Sequence, residues 1–295
     1  MSFALAATGN NSEIPILDLA PYLSGQPGAR ERLGKQLCHA LENIGFYFIK
    51  GHGIPQSLID AAFAATERFH AQPLDRKLRL RRNRDSVGYL PMSRADDSGA
   101  AIKPNVNEAF FVKRDLSPDH PDVVAQKRFR GTNIWPDDIP GFRETVVAYC
   151  NAIEGLAKKL VPLYAVALDL PADHFDAAFS EPQYTLRMTH YPFVEAQAED
   201  EFGIAPHSDT SFLTLLAQNK VPGLSLRTRD GRWIDAPALD GHFLVNAVTC
   251  CAAGRMTDFW RLRTGPAIGQ VGRVTPSPSL SIAALIGRWS VCRLA

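Results

Sequence analysis

Polar and apolar positions follow two rhythms along this chain, helical through most of the first half and strand-like from about residue 184. Ile14-Pro15-Ile16-Leu17-Asp18-Leu19 is a short extended run that predicts an entering strand. Between Gly28 and Asn43, apolar side chains at Leu33, Leu37, Ala40 and Leu41, with Ile44 just beyond, keep the spacing of an amphipathic helix. A strand from Gly45 to Lys50 follows, closed by Gly51-His52-Gly53-Ile54-Pro55, and Pro55 stands where a helix over Gln56 to His70 begins. Asp85 to Pro104 is rich in Gly, Ser, Asp and Pro and reads as a loop able to cover a pocket, and Asn107 to Arg114 reads as a strand. The longest helical pattern runs from Pro140 to Leu168, with Phe142, Val146, Cys150, Ile153, Leu160 and Tyr164 on one stripe and Pro162 expected to kink it. Beyond it come short strands: Tyr184 to Tyr191, Ser211 to Ala217, Gly223 to Arg229, Trp233-Ile234 and Phe243 to Val245. Turn signals such as Asp230-Gly231 separate them, which predicts an antiparallel barrel or jelly roll.

Composition narrows the functions this pattern can serve. At 295 residues and 45% hydrophobic content the chain can bury a full core. With 32 basic against 31 acidic residues, no global field draws it to nucleic acid or membrane, so a small neutral or anionic substrate is expected instead of a polymer. The basic cluster Arg76, Lys77, Arg79, Arg81, Arg82 and Arg84 has no interleaved aromatics and is followed by Asp85, Asp96 and Asp97, so it is read as a solvated helix end. Met1 to Ala7 lacks the charged and apolar parts of a signal peptide, and a cytoplasmic location is expected. The five cysteines, Cys38, Cys150, Cys250, Cys251 and Cys292, make neither a disulfide framework nor a zinc pattern. Oligomeric state is not legible.

Candidate chemistry centres on Pro206-His207-Ser208-Asp209-Thr210, just before the apolar run Phe212 to Leu216. On an extended segment His207 and Asp209, two residues apart, project to the same side. An imidazole and a carboxylate so placed can hold adjacent positions on one metal ion. With a second histidine they would form the facial triad that leaves positions open on non-haem Fe(II). The plainer reading is a hydrogen-bonded pair at a strand end. A zinc hydrolase using His207, Asp209 and either His190 or His242 is a further alternative, though the neighbouring motifs supply no general base. His52, between two glycines after a strand, is expected to be structural, and His190 to point away from both its strand neighbours.

Several stretches in one order resemble the isopenicillin N synthase-like dioxygenases: Ile14 to Leu19, Gly45 to Pro55, Leu186-Arg187-Met188-Thr189-His190-Tyr191-Pro192, Pro206 to Asp209, Phe212 to Leu216, Asp230 to Ile234 and Gly241 to Asn246. The resemblance runs from about residue 14 to 247. It implies an α+β fold, a double-stranded β-helix (jelly roll) flanked by helices. It also implies Fe(II)- and 2-oxoglutarate-dependent oxidation of a small molecule by O2, with release of succinate and CO2. His207 and Asp209 would be iron ligands and Tyr191 a contact to the co-substrate carboxylate, while Thr189 stands where relatives commonly carry asparagine. By the same resemblance the chain divides into an N-terminal dioxygenase domain (1–115), a long helical segment (116–180), a truncated jelly-roll domain (181–247) and an aberrant tail (248–295).

The pattern breaks after Ala247. The family needs a second histidine about fifty to sixty residues beyond the aspartate, then an Arg-x-Ser that grips the far carboxylate of 2-oxoglutarate in bidentate fashion. Neither follows at that spacing, and the last histidine, His242, is only 33 residues past Asp209. From Val248 to Ala295 there are six arginines, no lysine, no histidine and one acid, Asp258. If one base were lost after the codon of Ala247, the codons of Val248 to Gly265 would permit GDMLRRWTNDRFLATPHR and those of Ile268 to Ile282 would permit NRSGRERYSIPFFFD. Those strings match the family pattern. They place a histidine in the slot of Thr264, 55 residues after Asp209, and the Arg-x-Ser in the slots of Val274 and Pro276. The tail is therefore expected to be an out-of-frame translation, with the closing strands missing or disordered and catalysis impaired. The competing expectation is a catalytically dead remnant that at most binds a small molecule or partner through its N-terminal half. Within the class, ethylene formation and oxidative ring closure stay open beside hydroxylation.

Overall fold

The computed structural model describes residues 14–92, 105–193, 203–204, 207, 211–221, 223–228, 231–247, 271–272 and 279–287. In chain order these form β1 (Ile16–Asp18), α1 (Ala20–Leu23), α2 (Ala29–Asn43), β2 (Phe46–Lys50), α3 (Gln56–His70), α4 (Leu74–Arg79), β3 (Gly88–Leu90), β4 (Glu108–Lys113), α5 (Pro121–Val124) and α6 (Phe142–Ala167). The strands β5 (Gln183–Tyr191), β6 (Leu213–Gln218), β7 (Ser225–Arg227), β8 (Trp233–Asp235), β9 (Phe243–Ala247), β10 (Val271–Gly272) and β11 (Ser279–Gly287) complete the set.

One large sheet runs in the order β1-β2-β9-β6-β11-β5-β4-β3, and a small one in the order β10-β7-β8. All pairings between these strands are antiparallel except β1 with β2. Alternation along each strand then decides which side chain goes to which face. Tyr47 and Ile49, Phe110 and Val112, Tyr184, Leu186 and Met188, Leu213 and Leu215, and Phe243 and Val245 share one core with α2, α3 and α6. Phe46, Phe48 and Leu244 turn the other way and pack with Leu224 and Leu226 from the small sheet. Large apolar side chains thus fill both faces of the large sheet, each worth roughly 1.5–3 kcal/mol when fully buried. Deep in the helix-side core, the hydroxyls of Tyr47 and Tyr164 meet at 2.6 Å and tie β2 to α6.

These elements match the predicted order of strands and helices, with two differences. β3 lies inside the stretch read as loop, because three residues are too few to show a period. Residues 93–104, the rest of that expected cover, fall outside the described residues. In the tail, where missing strands were expected, the backbone of β11 lies between β5 and β6, pairing Ser279 with Tyr191 and Ile286 with Leu213. The slot between two open strand edges offers two rows of unpaired N–H and C=O groups, a template that an apolar run such as Ile282 to Ile286 can satisfy. Among the described residues no helix is long and apolar enough to cross a membrane.

Candidate active site

Tyr191 ends β5, and it is buried against Ile204 on the face turned away from the helices. Thr189 precedes it by one alternation and is also buried. Along the same face, the Arg187 guanidinium donates from Nη2 to Asn107 Oδ1 at 3.0 Å, and Asn107 Nδ2 donates to the carbonyl of Gly203. Two side chains from β5 and the start of β4 therefore fix residues 203–204, the segment that leads into His207. His207 itself is half-buried. Asp209 lies outside the described residues.

A second group of titratable side chains sits on the opposite face. Glu108 Oε1 is 2.8 Å from His190 Nδ1 and 3.4 Å from His70 Nδ1, and its Oε2 accepts from Lys77 Nζ at 2.7 Å and from the Tyr89 hydroxyl. Burial alone would push the Glu108 carboxyl up, but hydrogen bonds from His190, His70, Lys77 and Tyr89 hold it well below the usual carboxylate range. Donor atoms of His70, Glu108 and His190 come within 4.8 Å of one another, close enough to suit a metal ion. The site already holds its cation, however. The Lys77 ammonium is on the same carboxylate, and a dication brought beside it would meet direct repulsion. Glu108 and His190 are also cross-strand partners on the helix-packed face, so their side chains do not share the Tyr191 face. We read this group as a buried ion-pair network that clamps α3 and α4 to β4 and β5.

Each of the chain's eight histidines can now be placed. His39 contacts Asn43 within α2, His120 caps α5, and the His174 ring lies edge-on to Phe175. As expected, His52 is structural, accepting from the Ile54 amide through Nδ1 at 3.1 Å with its ring against Phe243. His242 Nδ1 bonds the Asp240 carbonyl at 2.7 Å while its ring sits edge-on to Phe48. His70 and His190 belong to Glu108. Only His207 remains for the face that carries Tyr191. The basic cluster read as solvated needs a correction: Lys77 is buried on Glu108, and the Arg82 guanidinium lies 4.6 Å from the centre of the Phe111 ring.

The fold is a jelly roll flanked by helices, and the comparisons with known proteins place it among the non-haem iron oxygenases. Residues 14–138 match the family described as non-haem dioxygenase in morphine synthesis N-terminal, and residues 182–253 match the 2OG-Fe(II) oxygenase superfamily. The chain is 33% identical over 241 residues to the 2-oxoglutarate-Fe(II) type oxidoreductase hxnY of Emericella nidulans, covering 79% of this chain and 68% of that protein. It is 31% identical over 252 residues to kihadalactone A synthase LFS of Citrus sinensis, covering 81% of this chain and 74% of that one. Among solved structures, a full-length Neurospora crassa protein in complex with alpha-KG and thymine superposes with a TM-score of 0.78 at 22% identity, covering 93% of this chain and 85% of that one. The rice dioxygenase for auxin oxidation gives a TM-score of 0.68 at 26% identity over 95% of this chain and 87% of that one.

This chain belongs to the 2OG-Fe(II) oxygenase superfamily. Its activity class is that of the 2-oxoglutarate-dependent non-haem iron dioxygenases, with Fe(II), 2-oxoglutarate, O2 and a small molecule as the participants. A facial triad takes two histidines and one carboxylate, and every histidine other than His207 is engaged elsewhere in the fold.

Proposed function

We propose that this chain is an iron- and 2-oxoglutarate-dependent oxidase of a small molecule whose final sixth is read out of frame. His207 and Asp209 supply two of the three iron ligands in this reading, and Tyr191 contacts the co-substrate carboxylate. The observation that carries it is the histidine count: nothing after His242 can supply the second imidazole, while a restored frame puts a histidine in the slot of Thr264. The match to the oxygenase superfamily stops at residue 253, a few residues past the proposed slip, which supports the same reading.

The residues present have definable tasks. Tyr191, buried on the jelly-roll face, offers a hydroxyl in a dry setting where a hydrogen bond to a carboxylate is strong. Arg187 and Asn107 hold the segment before His207 and so orient that imidazole. No Arg-x-Ser stands in the slots of Val274 and Pro276, so in this reading the far carboxylate of the co-substrate loses its bidentate partner. The chain as written is accordingly impaired, and a remnant without turnover is the second reading that the missing histidine favours. Sequencing the gene across codons 246 to 250 tests the proposal. One base missing relative to an open frame is the expected result, and an intact frame encoding this tail would refute it.

A further inference from the structure

We infer that Arg82, Lys113 and Arg187 form a binding site for the oxyanion group of the primary substrate, which places that substrate among small organic carboxylates or phosphates. The inference rests on the oxygenase reading for the word substrate, but the site itself stands on its own geometry.

Arg187 on β5 lies directly across from Phe111 on β4, and Lys113 lies across from Thr185 two residues further along the same face. The Phe111 ring has the Arg82 guanidinium 4.6 Å from its centre and the Arg187 guanidinium at 5.7 Å. All three cations therefore gather on one patch, and among the described residues every hydrogen-bond partner they have there is neutral. Arg82 donates to Ser86 Oγ at 2.9 Å, Arg187 to Asn107 Oδ1 at 3.0 Å, and Lys113 Nζ to Thr185 Oγ1. The buried Nε of Arg187 has no partner among the described residues. Other half-buried cations of this protein do have acids: Lys77 pairs with Glu108 and Arg114 with Glu154. Glu108, the nearest buried carboxylate along β4, faces the other way.

Lys113 is buried and Arg187 half-buried, with the exposed Arg82 at the mouth of the patch, and a buried cation beside two like charges is costly unless an anion completes the group. The titration behaviour agrees with the geometry. Burial, and then the Arg82 charge, push the Lys113 ammonium down to about 8, and burial followed by Arg187 lowers Arg82. Position supplies the link to chemistry. Arg187 and Tyr191 share one face four residues apart, roughly 13 Å along the strand at about 3.3 Å per residue. An anion held at Arg187 would leave the body of a small molecule extending toward Tyr191. The same Arg187 is tied through Asn107 to Gly203, on the approach to His207.

The test uses the full chain without metal and follows binding calorimetrically with phenylacetate, phenyl phosphate and phenylacetamide as probes. Binding of one or both anions, weakened by 0.3 M salt, with at least ~10-fold weaker binding of the neutral amide, is the expected result. The tighter of the two anions identifies the oxyanion. Lys113→Met and Arg82→Gln should each weaken anion binding by at least ~10-fold while the ligand-free melting temperature stays level or rises, because a repulsion has been removed. Equal binding of the amide, or unchanged anion binding in both variants, would overturn the assignment. So would a fall in the ligand-free melting temperature of both variants with no anion bound by the parent, which would mark the cations as structural. If 2-oxoglutarate displaces the probe and loses affinity in the variants to the same extent, the patch anchors the co-substrate and the assignment to the primary substrate fails. Failure of the frame-restored chain to bind iron or co-substrate, with anion binding kept, would speak against the oxygenase reading and leave this site standing.

Discussion

Individual residues carry the clearest energetic consequences. Tyr47 and Tyr164 satisfy only each other in the buried core, and burial raises both phenols well above the ordinary range. Tyr47→Phe or Tyr164→Phe alone should cost about 1–3 kcal/mol in urea unfolding, because each strands the remaining hydroxyl, whereas the double substitution should cost less than the sum of the two. Glu108→Gln leaves the Lys77 ammonium and two imidazoles without their anion, and a loss of about 3–5 kcal/mol is expected for a broken buried pair. Since the Glu108 carboxyl is held below its unfolded value, its stabilisation is complete above the unfolded pKa of about 4.3 and is lost as pH falls. The gap between parent and Glu108→Gln should therefore narrow only in acid. Lys113 behaves in the opposite sense. Its folded pKa of about 8 lies below the ordinary lysine value, so the charged form opposes folding at neutral pH, by on the order of 2–3 kcal/mol. Thermal melts should show Lys113→Met as the more stable protein at pH 7, with the difference shrinking from pH 8 to 10.

Packing of elements sets a different kind of constraint. A methyl group at Gly34 on α2 would come within 2.5 Å of Val166 Cγ1 on α6, so these helices touch through a glycine. Gly34→Ala gains about 1 kcal/mol of helix propensity but should still destabilise by about 1–3 kcal/mol through overpacking, measurable as a lower melting temperature. Most elements were legible because their apolar spacing is local: α2, α3, α6 and β5 stand where periodicity predicts them. Alternation also turned His190 away from Tyr191 before any contact was known. What periodicity could not supply is a partner distant in sequence. Lys77 reads as one more solvated lysine until Glu108, 31 residues later, is folded against it. Likewise His70 ends a helix unremarkably, and only the pairing of β4 with β5 brings it to Glu108. The cationic patch was hidden for the same reason, since Arg82, Lys113 and Arg187 come from three separate stretches. β11 marks the opposite case, where sheet edges accept a strand that the sequence pattern did not announce.

At the scale of the whole molecule, the chain belongs to the oxygenase superfamily, and in the proposed reading the metal's donor set does not close. A jelly roll needs its central slot filled, and β11 fills it, starting five residues later than the slot of Val274 where a restored frame begins the Arg-x-Ser strand. On the proposed reading shape persists where iron ligation is lost, because backbone pairing is indifferent to side-chain identity and iron ligation is not. Anaerobic Fe(II) titration in the presence of 2-oxoglutarate, comparing this chain with its frame-restored counterpart, tests that most directly. The restored protein should develop a weak visible charge-transfer band and bind iron at least ~10–100-fold more tightly than the chain as written. Tight iron binding and the same band in the chain as written, with this tail in place, would contradict the account.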